Sequence, residues 1–134
     1  MKLTISSAIL EELQRQARHG VPLEICGLLF GHGRKITSFQ QTRNVAKQAS
    51  RHFEIDPAAL IAAERGAREG GPKIIGYYHS HPSGEVKPSE TDAKNAASDN
   101  RFWLLLNGRE ASAWQASKNP ELFGPFTPIT LDCR

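Results

Sequence analysis

The apolar residues of this 134-residue sequence occur in short runs that glycine, proline and polar residues interrupt. The longest unbroken run, Phe102–Leu106, is far shorter than the ~20 residues that a membrane-spanning helix needs. A mostly apolar segment over residues 23–30 is also short, and Gly31 and Gly33 follow it. Short apolar runs bounded by turn residues are typical of buried strands. The sequence therefore predicts a folded core built around a sheet, without a membrane segment.

Length and composition limit the domain organisation. Hydrophobic residues make up 39% of the chain and charged residues 23%, which is ordinary globular usage and argues against disorder, collagen-like repeats and coiled coil. Glu11 and Glu12 stand where a signal peptide would have an apolar run. We therefore expect one domain over residues 1–134, located in the cytoplasm.

Charge and cysteine content narrow the partners only slightly. The net charge is +3, and the basic residues are scattered, with no interleaved aromatic residues of the kind that bind single strands. This scattered positive charge suits an acidic protein partner as well as a nucleic acid, so it gives no support for nucleic-acid binding. Cys26 and Cys133 form neither a disulfide framework nor a CxxC pair, so both are predicted to be free thiols.

Three helices are predicted from local signals. One covers residues 6–19, where apolar residues recur at helical spacing. A second begins after Asp56, an N-cap residue followed by Pro57 at the first helical position, and ends at the Gly70-Gly71 pair. A short third helix is predicted over residues 89–97 from the spacing of a capping box.

Strands are predicted between and after these helices. The stretch over residues 123–131 is extended, but Pro125 and Pro128 interrupt it, so it is expected at an edge of the sheet, where it is open to a homo-oligomer partner or to substrate. Together the elements predict an α/β fold with a single mixed β-sheet of five to seven strands, two main helices and a short third. The other predicted strands cover residues 23–30, 35–45, 73–80, 102–106 and 111–116.

Two histidines and an aspartate have the spacing of a metal site. His79 and His81 close the strand predicted at residues 73–80, and because strand side chains alternate, both imidazoles project to one face. Pro82 ends the strand, and turn residues then allow the chain to bring Asp92 back to the histidines. Two nitrogens and one carboxylate oxygen give tetrahedral Zn²⁺ three protein ligands and leave the fourth position for water, as in catalytic zinc sites.

Each of these residues also fits an ordinary structural role when taken alone. His79 and His81 fit surface residues at a strand end, and Asp92 fits a capping-box acid. Their joint occurrence with the proline at this spacing favours the metal site.

Glu24 is the candidate proton-transfer group. It is the one charge in an apolar segment, and a metal hydrolase needs a base and an acid beside the metal. Burial would raise its pKa and a nearby cation would lower it. The alternative is a carboxylate at the start of a strand with its head in water.

Several segments together resemble the JAMM/MPN+ family of zinc metalloproteases. The resemblance implies an MPN/JAMM domain with a cytidine-deaminase-like architecture, and an enzyme that hydrolyses peptide or isopeptide bonds at the C-termini of ubiquitin and ubiquitin-like proteins. The zinc pattern is highly specific, and the middle segments only support it. The matching segments are P-x-E-x-C-G-L-L-x-G at residues 22–31, H-S-H-P-S-G at 79–84, P-S-x-x-D at 88–92, and residues 43–46 and 53–57.

The resemblance also implies a role for each motif residue. His79, His81 and Asp92 match the ligands of one zinc ion per chain. Glu24 matches the general acid/base that works on a zinc-activated water. Ser89 matches the serine that steadies the oxyanion, although its position also fits a plain N-cap.

The expected substrate follows from the same resemblance. Only ten residues separate His81 from Asp92, and the chain leaves little room for the insertions with which eukaryotic members grip ubiquitin chains. The short form is similar to prokaryotic members that act on sulfur-carrier proteins with a ubiquitin-like fold and a C-terminal Gly-Gly. We therefore expect cleavage of the bond after that Gly-Gly.

Two rival functions belong to other classes. A RadC-type domain of DNA metabolism has a similar histidine–proline–serine–glycine segment, but the full segment around Glu24 and the absence of an N-terminal helix-hairpin region count against it. A non-catalytic MPN-type interaction module would keep the metal for stability alone. A zinc deaminase would need an H-x-E and a P-C-x-x-C motif, and the sequence has neither.

Overall fold

A computed structural model describes residues 1–97, 99–121 and 124–134. Within those ranges, no helix combines the length and apolarity that crossing a membrane requires. The elements in chain order are β1 (Lys2–Ile5), α1 (Ser7–Gly20), β2 (Cys26–His32), β3 (Lys35–Thr42), α2 (Pro57–Arg68), β4 (Ile74–Ser80), α3 (Glu90–Asn95), β5 (Phe102–Leu106), β6 (Ala111–Glu121) and β7 (Gly124–Cys133).

The strands form one mixed sheet that closes on itself in the order β1-β3-β2-β4-β5-β6-β7. Parallel pairs join β4 to β5 and join β1 to both β3 and β7, and the remaining pairs are antiparallel. The predicted mixed sheet with two longer helices and a short third is confirmed. Its closure into a barrel is a further feature, which local patterns did not predict.

The prediction that the last strand lies at an edge is wrong for its C-terminal half. There β7 pairs with β1 from Thr130 to Cys133, and β6 pairs with the preceding part of β7. Pro125 and Pro128 lie before the β1-paired part, where a missing backbone N–H costs no bond to β1. The closing strand β1 was not predicted, and Phe123, the first residue of the predicted stretch, lies outside the described residues.

Capping side chains account for the starts of the two longer helices. Ser6 caps α1 by accepting a hydrogen bond from the Ile9 amide, and Asp56 caps α2 in the same way through the Ala58 amide. These side chains occupy amide groups that the first helical turn leaves without partners. The predicted starts of both longer helices are therefore confirmed to within a residue.

The helices cover different parts of the sheet. Leu13 and Ala17 of α1 belong to a core cluster that includes Leu29 and Leu104. Leu60 of α2 packs against a second cluster. A third cluster packs against α3 and contains Trp103, Leu105, Trp114, Ala116 and Phe126.

The pairing of β2, β4 and β5 fixes where the motif residues lie. His79 pairs with Cys26 of β2 on one side and with Leu105 of β5 on the other. Gly76 allows the close approach of β5, because a Cβ at this position would collide with the Phe102 carbonyl group. The C-terminal end of β4 is thus held between two strands.

Candidate active site

His79 and His81 project to one face at the end of β4, as predicted. Their Nε2 atoms lie 3.1 Å apart. Ser80 points away from them: its Oγ accepts a hydrogen bond of 2.8 Å from the Ile25 amide, and its own amide donates to the Ile25 carbonyl at 3.0 Å. These two bonds tie the end of β4 to the start of β2, so the histidines stand on rigid backbone.

Asp92 completes a triangle with the two histidines. Its Oδ2 lies 3.1 Å from Nε2 of His79 and 3.2 Å from Nε2 of His81. The same oxygen accepts the Ser89 amide at 2.9 Å, so the capping box of α3 orients the carboxylate. Burial works to raise the pKa of Asp92, but the adjacent imidazoles of His79 and His81 and the Ser89 amide outweigh it and hold the pKa well below its usual range. The carboxylate is therefore ionised.

The triangle fits a divalent metal ion. At ordinary Zn²⁺ ligand distances, two ligand atoms of a tetrahedral site lie about 3.3 Å apart, close to the three separations observed. The Nδ1 atom of His81 lies 2.9 Å from the Glu85 carbonyl and can only donate to it, so the neutral imidazole directs the lone pair of Nε2 at the triangle. Two imidazole nitrogens and a carboxylate oxygen are a donor set that zinc takes.

The ring of His79 is held by packing. The residue has no exposed surface, and the Phe53 ring stacks on it at 4.1 Å between centroids with an interplanar angle of 17°. Trp103 meets it edge-on at 5.5 Å. Among the described residues, its buried Nδ1 has no hydrogen-bond partner. Burial lowers the pKa of His79, which keeps the imidazole neutral and able to bind a metal.

Glu24 lies beside the two histidines. One carboxylate oxygen of Glu24 and one ring nitrogen of each histidine all lie within 4.8 Å of one another, so the three residues form a group able to hold a metal ion. Asp92 lies closer to the two histidines than Glu24 does. Glu24 therefore lies outside the triangle. Only 6% of Glu24 is exposed, so the alternative of a carboxylate with its head in water is wrong. Burial raises the pKa of Glu24 to about 7, against the opposing effect of His81.

Ser89 occupies both positions that the sequence suggested for it. It is the exposed N-cap of α3, where its Oγ accepts the Asp92 amide at 3.0 Å, and it also lines the cleft that contains Glu24 and His81. The cap uses a lone pair of the oxygen, so the hydroxyl proton is left to donate elsewhere. One serine can therefore cap the helix and donate into the cleft.

Two cavities flank the histidines. One, of about 420 Å³, is a cleft lined by residues that include Glu24, His81 and Ser89. The other, of about 330 Å³, is walled by aromatic residues that include Phe53 and Trp103. The candidate site thus has a cleft on one side, and aromatic side chains pack against His79 on the other.

Sequence reasoning missed the importance of Asn44. Within the described part of the chain, its side chain makes hydrogen bonds to five backbone groups, one of them the Glu24 carbonyl. The only sequence signal was its position in the middle segment of the resemblance, at the end of a predicted strand. An asparagine that organises backbone far away in the chain has no periodicity that would reveal it.

Solved structures have the same fold. A protein of Desulfitobacterium hafniense superimposes with a TM-score of 0.81 at 24% identity, covering 100% of this chain and 93% of the other. A JAB1/MPN domain protein of Archaeoglobus fulgidus superimposes with a TM-score of 0.61 at 17% identity, covering 97% and 99%. At these identities the likeness shows the fold alone.

Curated relatives are similar over most of the chain. A desampylase of Haloferax volcanii is 28% identical over 130 residues, covering 90% of this chain and 94% of its own. A probable TtuB-protein conjugate cleaving protease of Thermus thermophilus is 31% identical over 94 residues, 70% of this chain and 63% of its own. A CysO-cysteine peptidase of Mycobacterium tuberculosis is 25% identical over 109 residues, 81% and 75%.

A family model settles the classification. The model that describes prokaryotic homologs of the JAB domain matches residues 6–118. That range contains every residue of the histidine–aspartate triangle, together with Glu24 and Ser89. The chain therefore belongs to the family of prokaryotic JAB-domain homologs, which confirms the resemblance to short prokaryotic JAMM-type proteases.

Proposed function

We propose that this protein is a zinc-dependent peptidase or isopeptidase that hydrolyses the bond after the C-terminal Gly-Gly of a ubiquitin-like sulfur-carrier protein. The observation that carries the proposal is the triangle of His79, His81 and Asp92 with Glu24 buried beside it. Relatives whose names describe cleavage of protein conjugates and of CysO-cysteine support the substrate class.

One zinc ion per chain is held by His79, His81 and Asp92 in this proposal. Their donor set suits zinc, and a site with three protein ligands is open, as in zinc hydrolases. When bound, zinc acts as a Lewis acid that makes water more acidic and the scissile carbonyl more electrophilic. His79 is neutral, so zinc binding does not require this residue to lose a net charge.

Glu24 acts as the general acid/base. Its carboxylate accepts a proton from the attacking water and returns it to the departing amine. Burial raises the pKa of Glu24 toward the neutral range, where a group can both take and give a proton, and a bound cation would act in the opposite direction. The unpartnered, buried Oε1 of Glu24 is ready to accept, since no described side chain competes for it.

Ser89 stabilises the oxyanion. Its hydroxyl donates a hydrogen bond to the carbonyl oxygen as negative charge develops there, and one directed donor is worth ~3 kcal/mol in such a site. The capping box fixes the position of its oxygen at the cleft wall. An extended Gly-Gly tail suits this cleft, because residues without side chains let the backbone approach the cleft wall closely.

Domain extent and compartment are part of the proposal. We take residues 1–134 as one domain, since the two ends of the described chain pair in one sheet through β1 and β7. Cys26 and Cys133 are both free, which suits the reducing cytoplasm.

The test begins with metal content. We expect about one zinc per chain after gentle purification of the wild type and almost none in His81→Ala, because that change removes one of three ligands. His32→Ala is the matched control, since His32 is exposed at the end of β2 and should leave zinc unchanged.

Cleavage assays then use sulfur carriers extended beyond Gly-Gly by an amino acid, a peptide or a protein. Zinc-dependent release of the extension supports the proposal. No metal in either protein, even after incubation with zinc, would overturn the hydrolase and leave the interaction module. Salt-sensitive oligonucleotide binding without cleavage would favour the RadC-type function.

A further inference from the structure

The side chain of Asn44 joins segments of chain that surround the triangle. Its Nδ2 donates to the carbonyl groups of Glu24 and His52, each at 2.9 Å. Its Oδ1 accepts the amides of Ala46 and Glu54, each at 3.0 Å. Asn44 itself follows β3, so one planar amide links the end of β3 to two other segments.

One arm of this network holds the backbone of Glu24. Glu24 precedes β2, so the backbone hydrogen bonds that join the strands do not hold it. Its carbonyl accepts from Asn44, and its amide donates to the Ala49 carbonyl at 2.8 Å. Among the described residues, its buried Oε1 has no partner. The direction of the carboxylate is therefore set chiefly by its backbone, which Asn44 anchors.

The second arm reaches His79 through Phe53. The two groups that Asn44 bonds in this segment, the His52 carbonyl and the Glu54 amide, stand on either side of Phe53. The Phe53 ring stacks on His79 at 4.1 Å. Metal-binding histidines are usually oriented by a hydrogen bond from the other ring nitrogen, and no described residue supplies one to Nδ1 of His79. Packing against Phe53 orients the His79 ring instead.

We propose that Asn44 is a positioning residue that sets Glu24 in register with His79, so that the base and the metal ligand keep one fixed separation. This proposal rests on the proposed function. It assigns to Asn44 an effect on catalysis and on metal affinity, in addition to the stability that its hydrogen bonds give the loop. Misplacement of a catalytic group by about 1 Å costs on the order of 10²-fold in rate.

The test compares Asn44→Ala and Asn44→Asp with Ser6→Ala. The aspartate keeps the acceptor for the Ala46 and Glu54 amides but places a carboxylate oxygen against the Glu24 and His52 carbonyl groups. It therefore breaks the donor bonds alone, and it should give the same losses as the alanine variant. Ser6→Ala removes the cap of α1, away from the triangle, and controls for general loss of stability.

Two measurements decide the outcome. At saturating zinc, we expect Asn44→Ala to lower kcat on a Gly-Gly-extended carrier by about 10²-fold with KM within about twofold. Competition with a chromophoric chelator should show that Asn44→Ala binds zinc about 10-fold more weakly than the wild type. Loss of other groups that orient metal ligands has an effect of this size. Ser6→Ala should change neither value.

A double-mutant cycle separates positioning from structural damage. If Asn44 acts through Glu24, adding Asn44→Ala to Glu24→Gln should cost less than about threefold in kcat, because the base is already gone. The proposal is overturned if the single variant matches the wild type, or if it costs the same factor in both backgrounds. A wild type that binds zinc but cleaves no carrier would overturn the proposed function, and unchanged zinc affinity in Asn44→Ala would then overturn this inference as well.

Discussion

Glu24 carries a charge into the interior at the start of β2, and its surroundings explain how. Its backbone groups are both hydrogen-bonded, by Asn44 and Ala49, while its side chain faces the two histidines. Desolvation penalises the charged form, so the pKa rises to about 7. A cost of this kind is typical of residues retained for chemistry rather than for stability.

Replacing Glu24 with glutamine keeps the shape of the side chain and removes its proton-transfer ability. We expect Glu24→Gln to hold zinc at wild-type stoichiometry and to lose about 10²- to 10⁴-fold in kcat. Metal analysis and turnover should be measured on the same preparation, with Glu69→Gln at the exposed end of α2 as the control. A zinc-loaded Glu24→Gln protein with near-normal turnover would remove Glu24 from the role of general acid/base.

Among the elements, β1 shows how a short strand can close a sheet. It has four residues, and Leu3 and Ile5 are completely buried in the largest core cluster while Lys2 is exposed. Its pairing with β7 joins the two ends of the described chain. Without it, the C-terminal half of β7 would be the edge that its prolines suggested.

Truncating Leu3 tests the contribution of this strand. We expect Leu3→Ala to lower the free energy of unfolding by about 2–5 kcal/mol, because it removes buried methyl groups and leaves a cavity. Lys2→Ala, on the exposed side of the same strand, should change it by less than about 1 kcal/mol. Urea denaturation of both variants gives the comparison, and equal midpoints for the two would show that β1 adds nothing to the core.

On the scale of the whole molecule, the proposed zinc site adjoins one of the three core clusters described above. His79 packs on Phe53 and Trp103 of the cluster beneath α3, whereas the clusters beneath α1 and α2 consist of apolar side chains that need no metal to pack. We therefore expect the fold to persist without zinc, and zinc to add stability through its binding.

Removing the metal tests this expectation. We expect chelator-treated protein to remain folded by circular dichroism and to have a lower Tm than zinc-loaded protein. At a free zinc concentration of 100 times Kd, the gain from binding is about 2.7 kcal/mol. His81→Ala should show no such response to zinc. Unfolding of the wild type on chelation would instead favour a metal that serves structure, as the interaction module requires.

The sequence alone determined most of the local elements and the residues that form the triangle. Helical spacing over residues 6–19 and the N-cap residue Asp56 marked the two longer helices, and strand alternation put His79 and His81 on one face, because these signals act within a few residues. The capping-box spacing likewise placed Asp92 at the start of α3.

Only the tertiary structure decided the closure of the barrel, the burial of Glu24 and the network of Asn44. Each depends on groups far apart in the chain: β1 with β7, Glu24 with β4 and its histidines, and Asn44 with the segments on either side of it. Such contacts leave no periodic trace in the sequence, because one residue pairs with one distant partner. The sequence thus named the candidate site residues, and the fold supplied their separation and surroundings.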